Sequence, residues 1–264
     1  MNTHPAPTTS PITETSQRKV AWIAGLSLIL MGVLAPFALF GVLQSLVVPA
    51  DASATVANIV ASPGLFRSGV AALLIVIMLD VIVAWALYVL LTSVNRSVAL
   101  LMAWLRLGYA AVFAAAVMNL LDVAQLLGKS QAWARTPEQL DARVMTSLSS
   151  FESGFEGIAL AIFGLHLFGL GYLVFKSTNF PRFLGALVAV AGAGYLFDSF
   201  GTILVPNYGL TVAAFTFLGE VLLIFWLVWR AVKGFATEET PAAYGSGSAS
   251  WSSARSREYL GDHA

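Results

Sequence analysis

The sequence predicts an all-α integral membrane bundle of about six transmembrane helices. Of its 264 residues, 58% are hydrophobic and only 11% are charged, whereas about a quarter of the residues in soluble domains are charged. The apolar residues also form six long blocks. Each block exceeds the roughly 20 helical residues that cross a hydrocarbon core of about 30 Å. A soluble core needs no such blocks, so composition and block length together predict the fold class.

The blocks give the spans in chain order, at 20–48, 68–91, 98–127, 151–175, 183–205 and 210–232. The first is about twice the roughly 7–15 residues of a signal-peptide apolar region, so we expect it to remain as a helix. It contains Pro36, which predicts a kink. A short interfacial helix is expected to begin at Asp51, and another short helix at Thr136-Pro137 in the third connection.

The two ends of the chain differ in composition from the middle. Residues 1–17 and the Ser- and Gly-rich residues 234–264 have little apolar content, which is typical of disordered segments. The predicted domain organisation is therefore one transmembrane domain at 18–233 between two disordered segments.

Lysine and arginine are distributed unequally between the two sides of the predicted bundle. The side that holds both termini carries seven of them near the span ends: Arg18, Lys19, Arg96, Lys176, Arg182, Arg230 and Lys233. The other side carries Arg67, Lys129, Arg135 and Arg143. Because cytoplasmic loops are enriched in Lys and Arg, we predict a multi-pass protein of the cell membrane with both termini in the cytoplasm.

Several function classes lack support. The net charge is zero, which gives no reason to expect a nucleic-acid partner. The chain has no cysteine, so thiolate metal sites, iron–sulfur clusters and cysteine nucleophiles are excluded. It has no phosphate loop, GxSxG or HExxH motif, and no cofactor is predicted. The pattern does not favour an enzyme. The lipid bilayer is the one predicted partner, and a homo-oligomer or another membrane partner is left open.

The candidate site consists of ionisable side chains inside the spans. A charge at membrane depth costs several kcal/mol, so it usually faces the protein interior and has a partner. Seven residues form this candidate intramembrane polar cluster: Asp80, Arg106, Asp122, Glu156, His166, Asp198 and Glu220. Glu152 shares a helix face with Glu156 and is expected to reach the outer surface.

Asp80 and Arg106 lie on adjacent antiparallel spans at roughly 16 Å and 12 Å from the same side. This placement predicts an ion pair, acting either as a lock between helices or as a charge relay or ligand anchor. His166, at roughly 15 Å depth, is expected to join this layer. As the single histidine within the spans, it cannot supply a bis-His haem or multi-His zinc site, so no metal site is predicted.

The remaining acids are predicted to form an outer acidic layer. Asp122, Glu156 and Asp198 lie toward the outer side, and Glu220 lies in the middle of the sixth span. Carboxylates without a cation at their depth are the arrangement that a proton or cation site uses. Neutral acids that hydrogen-bond between helices are the other interpretation. The sequence therefore leaves two functions open: a non-catalytic membrane component, either a sensor or an assembly subunit, and a small transporter or permeation protein for a proton, cation or cationic solute.

Three stretches carry a family resemblance. They read GLHLFGLGYLVFKS at 164–177, PRFLG at 181–185 and GYLFDS at 194–199. Together with the stretch that begins at Asp80 and the loop around Asp51, they resemble one family of bacterial integral membrane proteins, the domain of unknown function 4386. The resemblance covers about 19–233. It implies a multi-helix membrane protein and supplies no activity, ligand or catalytic residue.

Overall fold

The computed structural model describes residues 14–128, 136–206 and 208–233, and every regular element in these parts of the chain is helical. Of the predicted disordered segments 1–17 and 234–264, residues 1–13 and 234–264 lie outside the described residues, and residues 14–17 belong to the first helix. Six helices are long and apolar enough to cross a membrane, which confirms the predicted fold class. The described residues form seven helices: α1 (from Glu14, continuing to Leu46), α2 (Ala52–Ala61), α3 (Pro63–Leu91), α4 (Arg96–Gly128), α5 (Pro137–Lys176), α6 (Arg182–Leu204) and α7 (Ala213–Lys233).

Helix α1 changes geometry at its proline. It is α-helical over Glu14–Pro36, becomes a π-helix over Phe37–Leu43 and ends with the turn Gln44–Leu46. Proline has no N–H for the helical ladder, and local π-helical adjustment is one way in which a transmembrane helix satisfies the backbone groups that proline frees. The irregularity predicted at Pro36 therefore takes the form of a π-helical segment.

The short helix α2 begins where the sequence predicted it. The Asp51 carboxylate accepts a hydrogen bond from the Ala54 N–H at 2.9 Å and thereby caps the helix. This bond, followed by the bond from the Ser53 hydroxyl, lowers the pKa of Asp51. Thr55 is fully buried and binds the Val48 backbone, so α2 is fastened to the end of α1.

The third connection differs from the prediction in one respect. A helix begins at Pro137, as expected, but it continues to Lys176 as part of the fourth span. Because 40 helical residues are about 60 Å long, α5 extends well beyond a bilayer core. Its first turns pack against α2 and bury Val144 and Leu148. This packing is why they stay helical. A second π-helical segment, Ser153–Ala159, lies within α5.

The six spans pack in sequence order and close into a ring. Each contacts its neighbours along the chain, and α7 returns to pack against α1. The ring brings one face of every span toward a common centre. At the end of the ring that carries the termini, Arg18 of α1 donates to the Ala231 and Val232 carbonyls of α7, where a cation also complements the helix dipole.

Glycines on α5 and α6 allow these two helices to touch through their backbones. A Cβ placed on Gly171 would lie 2.6 Å from the Gly185 carbonyl oxygen, and one on Gly164 would lie 2.8 Å from the Gly192 carbonyl oxygen. Any larger side chain at these positions would force the helices apart. Small residues at an interface are the usual means of close helix packing in membranes. The pair fixes the position of His166, which lies between the two α5 glycines in sequence.

Large apolar side chains cover the outside of the ring. The exposed fraction reaches 86% for Phe215, 71% for Leu204 and 67% for Phe225. A soluble monomer rarely exposes so much contiguous apolar surface. The outer faces therefore have the composition expected of helices surrounded by lipid.

Candidate functional site

The centre of the ring contains the predicted ion pair. Asp80 of α3 and Arg106 of α4 are 0% and 3% exposed, and an Arg106 Nη2 nitrogen lies 2.6 Å from Asp80 Oδ1. Asp80 lies eleven residues before the end of α3 and Arg106 ten residues after the start of α4, which places both about 15 Å from the same side. The prediction of an Asp80–Arg106 pair is confirmed.

His166 of α5 joins this pair through both of its ring nitrogens. Nδ1 lies 2.8 Å from the Met102 carbonyl oxygen, and Nε2 lies 3.3 Å from Arg106 Nη1. A carbonyl only accepts hydrogen bonds and a guanidinium only donates them. The proton therefore belongs on Nδ1, and Nε2 accepts from Arg106. The ring is neutral and both its nitrogens are engaged by the protein.

Aromatic rings enclose the Arg106 guanidinium. The Phe163 ring centroid is 5.5 Å from its central carbon, within the range of a cation–π contact. Tyr109 and Tyr195 contact the same ring, with centroids 4.8 Å and 5.5 Å from that of Phe163. Phe163 therefore links the ion pair on α3 and α4 to α6.

Glu220 of α7 completes the arrangement. It is close enough to Arg106 and Asp80 to interact with them electrostatically, and it lies beside Tyr195. Polar side chains from five spans thus meet at mid-depth. We call them the middle cluster: Asp80, Arg106, Tyr109, His166, Tyr195 and Glu220.

Four buried polar atoms of the middle cluster have no hydrogen-bond partner within the described residues. Arg106 Nε and Glu220 Oε1 are buried and have no hydrogen-bond partner within the described residues. The Asp80 oxygens are also without aligned hydrogen bonds, so the 2.6 Å contact is an ion pair rather than a well-oriented bond. Buried polar atoms of this kind are uncommon in native proteins.

Asp198 accepts hydrogen bonds from three groups that the sequence did not reveal as its partners. Its Oδ1 accepts hydrogen bonds from the Tyr208 hydroxyl at 2.6 Å and the Val212 N–H at 2.9 Å, and its Oδ2 accepts from the Ala213 N–H at 2.7 Å. Ala213 is the first residue of α7. A carboxylate from α6 therefore caps the N-terminus of the next span, where free N–H groups and the helix dipole favour negative charge.

The other outer acids are not gathered into one layer. Glu156 lies in the π-helical segment of α5 and is exposed, within electrostatic reach of Glu152 and Asp198. Asp122 is exposed on α4, and Glu220 belongs to the middle cluster. The structure therefore brings Glu156 and Asp198 of the predicted outer layer near each other and leaves Asp122 exposed on another helix, because depth along a helix does not determine which way a side chain faces.

Several residues that contribute to the site carry no signal in the sequence. Tyr109 and Phe163 carried no signal, since an aromatic residue in an apolar span is usually core. Tyr195 lies on the same span as Asp198, and its proximity to Glu220 of α7 carries no sequence signal. Tyr208 lies in the turn after α6 and could not be assigned to Asp198 without the path of that turn. Their roles depend on how separate helices meet.

The geometry limits the chemistry of the middle cluster. Within the described residues, no three His, Asp or Glu side chains are placed to hold a metal ion. The one histidine is occupied on both nitrogens, and the cation is paired with an acid. What the cluster provides is a set of interactions between spans, together with buried carboxylate oxygens on Asp80 and Glu220 that have no hydrogen-bond partner among the described residues.

Comparisons with known proteins place the chain in a family. Residues 23–231 match the family model described as "Domain of unknown function (DUF4386)". An uncharacterized protein of Archaeoglobus fulgidus is 35% identical over 167 residues, which are 63% of this chain and 86% of that relative. That relative is archaeal, and a bacterial origin for this chain stays an expectation. No solved structure matches the chain. With the family model matching most of its length, this chain belongs to the DUF4386 family.

Proposed function

We propose that this protein is a non-catalytic multi-pass membrane component, a sensor or an assembly subunit, in which the middle cluster fixes the arrangement of the spans. The observation that carries the proposal is the meeting of polar side chains from five spans in the middle cluster, with the Asp80–Arg106 pair at its centre. Each of the three most buried members contacts a neighbouring span: Asp80 and Arg106 contact each other, and His166 contacts α4.

The energetics support this interpretation. A buried charge that loses its partner is costly, typically about 3–5 kcal/mol. Asp80 and Arg106 therefore hold α3 against α4 in one register. The His166 bond to the Met102 carbonyl extends the same constraint to α5. Such contacts favour a defined bundle over a general apolar association, which lipid would tolerate in many arrangements.

A second candidate function, proton or cation transport, is favoured by one observation. Arg106 Nε and Glu220 Oε1 are unpartnered at mid-depth, and intramembrane acids are typical of proton and ion pathways. Against it, Asp198 is engaged by three protein donors and Asp122 faces outward. The acids do not line one shared path.

One experiment separates these functions. The purified protein is reconstituted in liposomes that contain a pH-sensitive dye, and ion flux is measured for wild type, Glu220→Gln and Glu156→Gln, with the exposed Asp122→Asn as the matched control. The proposal expects background flux in all four proteins and lower stability in Glu220→Gln. Flux that disappears in Glu220→Gln but persists in Asp122→Asn would instead establish transport.

We also propose that the protein lies in the cell membrane with both termini in the cytoplasm, which the Lys and Arg distribution supports. The absence of native cysteine allows single cysteines to be introduced at exposed positions. Ser93 and Thr178 lie between spans on one side, and Ala57 and Ala142 lie on the other. An impermeant thiol reagent should label only Cys at positions 57 and 142 in intact cells. Labelling restricted to positions 93 and 178 would reverse the orientation.

A further inference from the structure

A pocket of about 280 Å³ lies at the end of the bundle opposite the termini. The last turns of α2, the first turn of α3 and the last turn of α4 enclose it. Its walls are apolar and include Ile59, Phe66 and Leu127, and Arg67 is the single charged residue among the lining residues. The volume equals that of about nine liquid water molecules, enough for a headgroup or a segment of acyl chain.

The pocket is built from fixed parts. Ile59 and Phe66 are 2% and 1% exposed, so its inner walls are anchored in the core. Helix α2 is held by the Asp51 cap, and Asn58 donates from its side chain to the Leu46 carbonyl at 3.2 Å. The walls that α2 and α3 contribute to the pocket are therefore held in place by contacts within the protein.

Arg67 is exposed and makes no hydrogen bond or ion pair with another described residue. Its guanidinium lies over the end of α4, with Nη2 3.2 Å from the position of a Cβ built on Gly128. Both Arg67 and Gly128 lie at span ends, which is the depth of lipid headgroups. A cation that is unpaired among the described residues, beside an apolar pocket at this depth, complements an anion that carries an apolar chain.

The first turn of α3 adds to this complementarity. Its cap residue, Ser62, makes no hydrogen bond from its side chain to the helix, and the space beside Gly64 is open within 4 Å. Pro63 at the first position of α3 has no N–H, so the N–H groups of Gly64 and Leu65 are the ones that precede the first helical bond, from Phe66 to Ser62. Free N–H groups at a helix N-terminus attract phosphate groups. They lie a single helical turn from Arg67, so one anionic group could be approached from both sides.

We propose that this pocket binds an anionic phospholipid of the surrounding leaflet, with the phosphate at Arg67 and the adjoining part of an acyl chain along the walls formed by Ile59, Phe66 and Leu127. The site is separate from the middle cluster and does not depend on the proposed function. The charge of Arg67 selects the headgroup, and the apolar walls select a lipid over a soluble anion.

Native mass spectrometry of the detergent-purified protein tests the proposal with phosphatidylglycerol and phosphatidylcholine. Arg67→Gln should reduce phosphatidylglycerol affinity about tenfold, the change expected for loss of one charge-assisted contact, and should reduce phosphatidylcholine affinity less, because its choline cation already neutralises the phosphate charge. Arg143→Gln, which removes an exposed arginine outside the pocket, is the matched control and should bind like wild type. Ala124→Phe, which fills the pocket, should reduce the binding of phosphatidylglycerol while Arg67 is retained.

Three results would overturn the proposal. Equal phosphatidylglycerol affinity in wild type and Arg67→Gln would show that Arg67 does not select the headgroup. An equal loss in Arg143→Gln would mean that lipid binds the general surface of the protein. Displacement of the lipid by inorganic phosphate at millimolar concentration would identify a site for the soluble anion. Because Arg67 and Arg143 are exposed, both variants should fold, which thermal unfolding would verify.

Discussion

Charged side chains are stabilised differently in the middle cluster and among the outer acids. In the middle cluster, Asp80 and Arg106 are buried against each other and His166 is bonded on both nitrogens. In the outer half, Asp198 binds backbone N–H groups and a phenol, whereas Asp122 and Glu156 are exposed. An aspartate therefore pairs with a side chain of another span in the middle of the bundle, and it caps a helix terminus near the end of the bundle.

The difference shows what determines the role of an acid within a span. The middle of a span offers no free backbone donors, because every N–H is used within the helix. A charge there needs a side-chain partner from another span. Near a span end, the first N–H groups of the neighbouring helix are free, and an acid can be stabilised without any cation.

The largest expected effect breaks the middle cluster. Asp80→Asn and Arg106→Gln should each destabilise the protein by about 3–5 kcal/mol, because each leaves one charge buried without its partner. The double variant should be less destabilised than the sum of the two, since both charges are then absent. Unfolding in mixed detergent micelles measures all three proteins.

Asp122→Asn is the matched control for this cycle. It neutralises an acid that the structure leaves exposed, so its effect should stay within about 0.5 kcal/mol. If the Asp80 and Arg106 losses simply add, the two residues do not interact and the middle cluster has no ionic centre.

A second prediction concerns the helix pair that positions His166. Gly171→Ala places a Cβ 2.6 Å from the Gly185 carbonyl oxygen, and the helices must separate to admit it. We expect a loss of about 1–3 kcal/mol. Gly32→Ala is the control, because nothing lies within 4 Å of its Cβ, and alanine should stabilise that helix by about 0.5–1 kcal/mol. Equal effects of the two substitutions would mean that α5 and α6 do not touch through their backbones.

The sequence was sufficient for the architecture because lipid imposes simple rules. Span length and apolar content give the six helices, and Asp51 and Pro137 mark helix starts through local capping chemistry. The joining of the third-connection helix to the fourth span was missed. No residue between Ser150 and Phe155 breaks the helix, and the packing of α2 that favours its extension is a tertiary contact.

The candidate site was only half predictable, for a reason that the two regions make clear. The Asp80–Arg106 pair could be inferred because a four-residue turn fixes two neighbouring spans in depth. The Glu220 association with Arg106 connects helices far apart in sequence and depends on closure of the ring. The Asp198 cap depends on the path of the turn after α6, and no periodicity encodes that path.

A third prediction breaks the outer region alone. Asp198→Ala removes the acceptor for the first N–H groups of α7, and loss of a helix cap usually costs about 0.5–2 kcal/mol. Asp198→Asn keeps one acceptor oxygen and should be destabilised less. Thermal unfolding in detergent measures both, and hydrogen exchange of the Val212 and Ala213 amides should increase in Asp198→Ala. Unchanged exchange at these two amides would contradict the cap.

The smallest expected effect is a change in the pKa of Tyr208, which tests the role of Asp198 without unfolding the protein. Partial burial, followed by the hydrogen bond to Asp198 and its negative charge, raises the pKa of Tyr208 from 10.0 to about 12. The pKa of Tyr208 is higher in the folded than in the unfolded protein. The contribution of Tyr208 to stability is therefore fully present below pH 10 and is lost as the pH rises through about 12. In Asp198→Asn the charge is gone, and the pKa of Tyr208 should fall toward 10.

The ultraviolet absorbance of tyrosinate measures this pKa. Subtracting the titration of a Tyr208→Phe protein removes the absorbance of the other tyrosines. If Asp198 were instead a free acid in a proton site, it would not bind Tyr208. The pKa of Tyr208 would then have its ordinary value in the wild type and the same value in Asp198→Asn.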